Sequence, residues 1–490
     1  MITFLVCFGI LILGYKYYGG FVSKILKYDD SIQTPASKLA DGVDFQEMPW
    51  WKVLLTQFLN IAGLGPIFGA ISGAMFGPVA FLWITFGSIL IGATHDLLSG
   101  YISLKHEGQS YSEIVGIYMG KYARLAMRIF TFVLLILVAT VFTANPAAYL
   151  ATLNDWPVHT WIFIIMAYYL IATVLPINVL IAKIFPALSI ILIAMGVMLF
   201  GALMIGQFSG TLVMQEFTFA YSHPAGLAVV PFLFITIACG AISGFHSIKS
   251  PMMARCVKKE SESKPIFFGA MIVEGMIALI WAAVAMAIFG QRFWGEGLAL
   301  PQIEGVGGPL GAVAYASTQL LGALGPVATL LVIIAVVIFP VTTGDTTFRS
   351  VRLMVADITK SDQSKILNRL LVCVPIFGIS IALTYIDFDV LWRYFAWSNQ
   401  TLGALVLWTG AVFLIVNNRT HWIASLPATF LSFISVSYIM QAPEGFRLPP
   451  IVGNSVGIVV AAAILFAVLA SKRRIEGAGL PQTLTKVIRE

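Results

Sequence analysis

Apolar and polar positions alternate along this chain on a scale of about twenty residues, far coarser than the period of an amphipathic strand or helix. Thirteen apolar runs, centred near residues 10, 65, 92, 137, 168, 193, 237, 277, 333, 378, 402, 430 and 461, are separated by short polar segments. A helix needs about 20 apolar residues to cross the roughly 30 Å hydrocarbon core of a bilayer. The pattern therefore predicts an all-α polytopic membrane protein of about thirteen transmembrane helices, with no stretch left for a soluble domain.

Two of these runs are written differently. "NIAGLGPIFGAISGAMFG", residues 60–77 on the second span, holds five glycines and a proline, and "TIACGAISGFHS", residues 236–247 on the seventh, repeats its "GAISG". Glycine costs a helix about 1 kcal/mol and internal proline about 3, so a span that only sits in lipid gains nothing from them. Close packing through small residues accounts for Gly69 and Gly73, but not for Gly65-Pro66. The two runs lie five spans apart and so enter the membrane from opposite sides. This is the signature of an inverted repeat with broken helices near residues 65 and 240. The registers differ: "IAG/IAC" matches at an offset of 176 residues and "GAISG" at 171. The expected organisation is an extra helix and loop over 1–51, a first repeat over 52–206, a second over 207–416, and two further helices and a tail over 417–490. Irregular backbone inside a bilayer is tolerated only where it is buried or lines a cavity, so the breaks mark a site. Half-helix N-termini suit an anion, and unwound carbonyls suit a cation.

Composition supports the membrane reading and charge orients it. The chain is 59% hydrophobic and only 11% charged, with a mean hydropathy of +0.91. Of 29 Lys and Arg, 26 fall on one set of alternate loops and the other set holds only Arg292, Arg393 and Arg447. Basic loops stay cytoplasmic, which predicts the N-terminus outside, the C-terminal tail inside and a cytoplasmic (inner) membrane location. The first run lacks a basic leader and a small-residue cleavage site, so it reads as a retained helix. The net +6 reflects this bias and calls for no nucleic acid. Cys7, Cys239, Cys256 and Cys373 show no metal or disulfide spacing. HExxH, Walker A and GxSxG motifs are absent, so neither an enzyme nor a bound metal or cofactor is expected.

Ionisable residues inside spans are functional candidates by default, at about 2.5 to 3.5 kcal/mol each on insertion scales. Glu274 lies deep in the eighth span, either as a coupling-proton carrier or as a hydrogen-bonded helix glue. His246 follows the second broken run and suits a substrate carboxylate or a proton relay, or else caps a helix. His95-Asp96, nearer the cytoplasmic end, reads as an interface. "PVTTGDTTFRSVR" in the ninth span puts Thr342, Thr343 and Thr346 beside Asp345, an oxygen set fit for a hard cation. The alternative is an Asp345/Arg349 pair with threonines bonded to their own helix. Lys183 reads as an interfacial snorkel. Ser398, Asn399 and Gln400 bring polar groups into the eleventh span, where Trp397 or Phe395 gates the cavity or simply packs.

"KLADGVDF", "IAGLGPIFG", "HDLLSGYISLKHEGQS", "FITIACGAISGFHS", "TTGDTTFR" and "SNQTLGAL" together resemble the carbon starvation protein A family of peptide and pyruvate transporters, over about residues 36–415. The resemblance implies a secondary active transporter of the amino acid/polyamine/organocation superfamily, with the leucine-transporter-like 5+5 inverted repeat. By that resemblance Ala62 and Gly63 carbonyls with Thr342, Thr343 and Thr346 would form a sodium site, and the family's response to carbon starvation would extend to this chain. The same resemblance gives Lys183 an alternative place, where a coupling sodium would sit. Thr56 and Gln57 stand where many longer members carry paired histidines. The expected activity is import of a short peptide or a small carboxylate such as pyruvate, coupled to a proton or sodium gradient. With Lys and Arg missing from the predicted midplane, the substrate would meet amides near Gly63, Gly65 and Gly240 and the side chains of Ser243, His246 and Asn399. A channel or a nutrient sensor without transport is the competing class.

Overall fold

The computed structural model describes residues 1–41, 45–174, 180–218, 220–359, 361 and 365–478, without the side chains at 174, 180–184, 357, 388 and 471–478. Part of "KLADGVDF" and the side chain of Lys183 thus lie outside the described residues. Among those residues every regular element is helical. Ten helices are long and apolar enough to cross a membrane: α1 (Ile2–Leu26), α3 (Val79–Lys105), α4 (Lys121–Thr152), α6 (Phe185–Phe208), α8 (Glu260–Gly295), α9 (Pro326–Ala356), α10 (Ile366–Leu383), α11 (Asp389–Val416), α12 (Trp422–Gln441) and α13 (Pro450–Ala470). Three expected positions remain. The bent pair α2a (Trp50–Ala62) and α2b (Gly65–Phe76) takes one, the shorter α5 (Val158–Thr173) another. The third is an interrupted segment whose helical turns end at Thr236 and resume as α7b (His246–Ala254).

Both interruptions fall where glycine and proline concentrate. α2a stops at Ala62, Gly63 leaves helical geometry, and α2b restarts at Gly65-Pro66 with a bend of 50°. Proline suits a first helical turn because its missing N–H would lack an intrahelical partner there anyway. In the seventh segment the non-helical stretch runs from Ile237 to Phe245, extending to both sides of the expected break near residue 240. At its centre Gly240 has φ +92°, which L side chains rarely adopt.

The breaks pack directly on each other. A methyl group on Gly65 would lie 2.1 Å from Cys239 Cβ, and one on Gly73 would lie 2.2 Å from Ile237 Cγ1. A methyl on Gly69 would reach the Thr236 carbonyl at 3.0 Å. The "GAISG" of α2b is therefore spent on close packing, while that of the seventh segment makes the turn and a second close approach, Gly244 against the Asn399 carbonyl. Elements outside this pair brace it. α1 lies against α3 through Phe4 and Phe81, whose rings are 6.0 Å apart, and the Trp408 indole of α11 donates to Ser432 of α12 at 3.0 Å.

Candidate functional site

The second break is organised by a single amide side chain. Asn399 Oδ1 accepts from the Phe245 N–H at 2.8 Å and from Ser243 Oγ at 3.1 Å, and the Asn399 carbonyl accepts from the Gly244 N–H at 3.2 Å. Its Nδ2 donates to Ser243 Oγ at 2.9 Å and Cys239 Sγ at 3.2 Å. The opening of α7b, whose first N–H groups have no intrahelical acceptor, is thus capped from α11. All of this is sealed from solvent, with Ser243 and Asn399 both 0% exposed. Truncation to alanine strands buried donors, each costing about 1–3 kcal/mol. An Asn399→Ala protein is expected to lose monodispersity at a lower temperature than the parent, read by fluorescence-detected size exclusion after heating. An unchanged profile would show that the cap carries no load.

Directly after this cap lies a buried chain of ionisable groups. Asp96 Oδ1 is 2.8 Å from His95 Nδ1, and Asp96 Oδ2 is 2.8 Å from His246 Nδ1. The other ring nitrogen, His246 Nε2, is 3.3 Å from Glu274 Oε2 without hydrogen-bond geometry. All four side chains are buried. Ser88 Oγ donates to the Gly240 carbonyl at 2.8 Å, tying α3 to the turn beside them. An ionised Asp96 only accepts, so both Nδ1 atoms present their N–H to it. With Nδ1 protonated, a neutral His246 leaves Nε2 as an acceptor facing the Glu274 carboxyl, and a protonated one presents a second N–H there. His95-Asp96 thus packs as an interface between α3 and α7b and joins His246 in the same buried chain. The sequence signal was available in "HD", but its partner lies 150 residues away.

A second cluster lies where α2 meets α9. A methyl on Gly63 would approach Thr343 Cγ2 at 3.9 Å. Thr342 and Thr343 donate to the Phe339 carbonyl and Thr346 to the Thr343 carbonyl, all within their own helix. Asp345 and Arg349 are both buried and 3.8 Å apart, and Arg349 reaches the Ala172 carbonyl. Lys249 corrects the charge map: expected in a cytoplasmic loop, it is 0% exposed, and its Nζ donates to Thr346 Oγ1 at 3.0 Å. Arg349 and Arg352 are also buried, so the polar interior is not free of basic residues. The loop asymmetry survives without these three. Ala62 and Gly65 sit at the α2 break, buried among helices. The Trp397 indole donates to the Ser435 carbonyl at 3.0 Å and packs on Phe130, and Phe395 packs on Trp392.

On the side bearing the basic loops, a cavity of about 700 Å³ runs between α2a, α4, α7b and α9, with Thr56, Arg128, Thr131, Ser247, Arg255 and Arg349 in its wall. Ser247, in that wall, is the chain neighbour of His246, while His246, Asp96 and Glu274 do not line the cavity.

The sequence matches the family described as Carbon starvation protein CstA over residues 1–158, 145–299 and 304–438. It is 32% identical over 341 residues to the Peptide transporter CstA of Campylobacter jejuni, covering 55% of this chain and 48% of that one, so it spans about half that relative's length. It is 25% identical over 563 aligned positions to the Pyruvate/proton symporter BtsT of Escherichia coli, covering 86% and 78%. Mhp1, a nucleobase-cation-symport-1 family transporter in a closed conformation with bromovinylhydantoin bound, superposes with a TM-score of 0.55 at 13% identity, covering 90% of this chain and 96% of that one. The broken pair five spans apart and this likeness place the chain in the leucine-transporter fold. With the family match over nearly the whole described chain, this multi-pass membrane protein belongs to the carbon starvation protein CstA family.

Proposed function

We propose that the protein is a secondary active transporter that imports a short peptide or a small carboxylate such as pyruvate by alternating access, driven by a proton gradient. The observation that carries this reading is the buried His246 imidazole bridging Asp96 at 2.8 Å and Glu274 at 3.3 Å. One proton gained or lost there changes the charge at the start of α7b, where the two breaks meet. In a low-dielectric interior such a change is too costly to leave the surrounding packing indifferent. The relatives named as a peptide transporter and a pyruvate/proton symporter support the cargo class and the ion.

In this reading the substrate carboxylate meets the opening turn of α2b at Gly63 and Gly65 and the Gly240 turn, with Ser243, His246 and Asn399 holding the facing wall. Glu274 carries the coupling proton. Ala62, Thr342, Thr343, Asp345 and Thr346 form the hinge between α2 and α9. The N-terminus lies outside and the tail in the cytoplasm, the 700 Å³ cavity is the inward vestibule, and expression rises with carbon starvation. The repeats extend over 52–206 and 207–416, flanked by 1–51 and 417–490. Proteoliposomes with proton and sodium gradients imposed separately test this: labelled pyruvate or dipeptide should accumulate only with the proton gradient. Counterflow that stays flat for both solutes would remove the transport reading.

A further inference from the structure

The oxygen-rich face of α9 already holds a cation, one supplied by the chain itself. Lys249 comes from α7b, three residues past His246, and its ammonium donates to Thr346 Oγ1 at 3.0 Å, while Thr346 itself donates to the Thr343 carbonyl within α9. Asp345 precedes Thr346 directly in the chain, and the Phe245 ring stands 4.9 Å from Nζ. An ammonium is a compact charge with three donors, and a hydroxyl beside a carboxylate is the environment that would otherwise suit an inorganic cation. The Thr343 methyl, one turn from Thr346, borders Gly63 at the α2 break, so the face of α9 that Nζ contacts also lines the corner between α9 and the broken second helix.

We infer that Lys249 is a tethered counter-cation that fills this corner in place of sodium, linking the second break to α9 and making the protein independent of sodium. A sodium ion placed about 4 Å from the ammonium would lose roughly a thousandfold in affinity at an effective dielectric constant of about 20. The lysine also gives α7b and α9 a contact that cannot diffuse away between transport cycles. The transport consequence rests on the proton-coupled reading above; the binding consequence does not.

The test is binding of ²²Na⁺ to the purified full-length protein by scintillation proximity, alongside uptake with sodium replaced by choline at a fixed proton gradient. The parent protein is expected to show no saturable sodium binding and unchanged uptake. Lys249→Met keeps the unbranched shape and removes the charge, and is expected to gain saturable, competable sodium binding. Saturable binding by the parent, or several-fold stimulation of its uptake by sodium, overturns the inference. So does a Lys249→Met protein that is monodisperse by gel filtration yet binds no sodium. If Lys249→Met does not fold, the parent's binding decides alone. Should the parent transport neither solute, the transport reading fails while the sodium result still stands for or against the tethered cation.

Discussion

Glu274→Gln is expected to abolish accumulation of substrate against its gradient while leaving exchange intact. The amide has the shape of the acid but cannot give up a proton, so the carboxyl that faces His246 Nε2 at 3.3 Å is lost as a proton carrier. Every pH unit of imposed gradient supports about a tenfold concentration ratio per coupled proton, at 1.4 kcal/mol per factor of ten. The variant should fall from that ratio to about one. Counterflow of labelled against unlabelled solute needs no net proton movement and should persist, which separates a coupling defect from a folding defect. Undiminished accumulation by the variant would transfer the coupling role elsewhere, and loss of counterflow together with monodispersity would reassign Glu274 to the structural core. The carboxylate belongs to α8, 28 residues after His246, and reaches the break only because α8 packs along α2b.

Gly65→Ala is expected to be as damaging, through packing alone. The added methyl would sit 2.1 Å from Cys239 Cβ and 2.4 Å from its Sγ, and that sulfur is held by Asn399 Nδ2. Neither backbone can retreat without opening the contact between the two breaks. Overpacking of a well-filled core costs about 1–3 kcal/mol, occasionally more, and here the strain falls on the pair of segments that must move. Uptake should be lost and the unfolding midpoint lowered. Gly9→Ala, where a methyl meets nothing within 4 Å, serves as the control and should match the parent, since alanine favours a helix. Cys239→Gly removes the obstructing side chain and should restore part of the loss in the double variant, the coupling expected of residues in contact. A Gly65→Ala protein with parental uptake would show that the breaks have more room than their spacing allows.

What was legible beforehand is local in origin. Span positions follow from runs of apolar residues, and the first break follows from Gly63, Gly65 and Pro66, whose cost inside a helix is paid wherever the helix lies. The second break was located at Gly240, but its length was not legible, because Asn399 supplies acceptors that let the chain stay unwound as far as Phe245. The threonines of α9 illustrate the limit of pattern. Their spacing predicted an oxygen cluster, which exists, yet whether it faces an ion or a lysine depends on α7b. Lys249 looked like a loop residue since it opens a basic stretch running to Lys264; its burial reflects one extra turn of α7b kept inside the bundle.

By itself the sequence determined the order of the apolar segments, the two interruptions, the skew of basic loops and hence an inverted-repeat membrane fold, since each rests on hydropathy or helix cost within some twenty residues. Only the tertiary structure decided that His246 joins Asp96 to Glu274, that Asn399 caps α7b and that Lys249 meets Thr346. Those pairings join residues 150, 154 and 97 positions apart, and which polar groups meet in a bilayer interior is set by how the helices pack, where an unpartnered group is too costly to leave to chance.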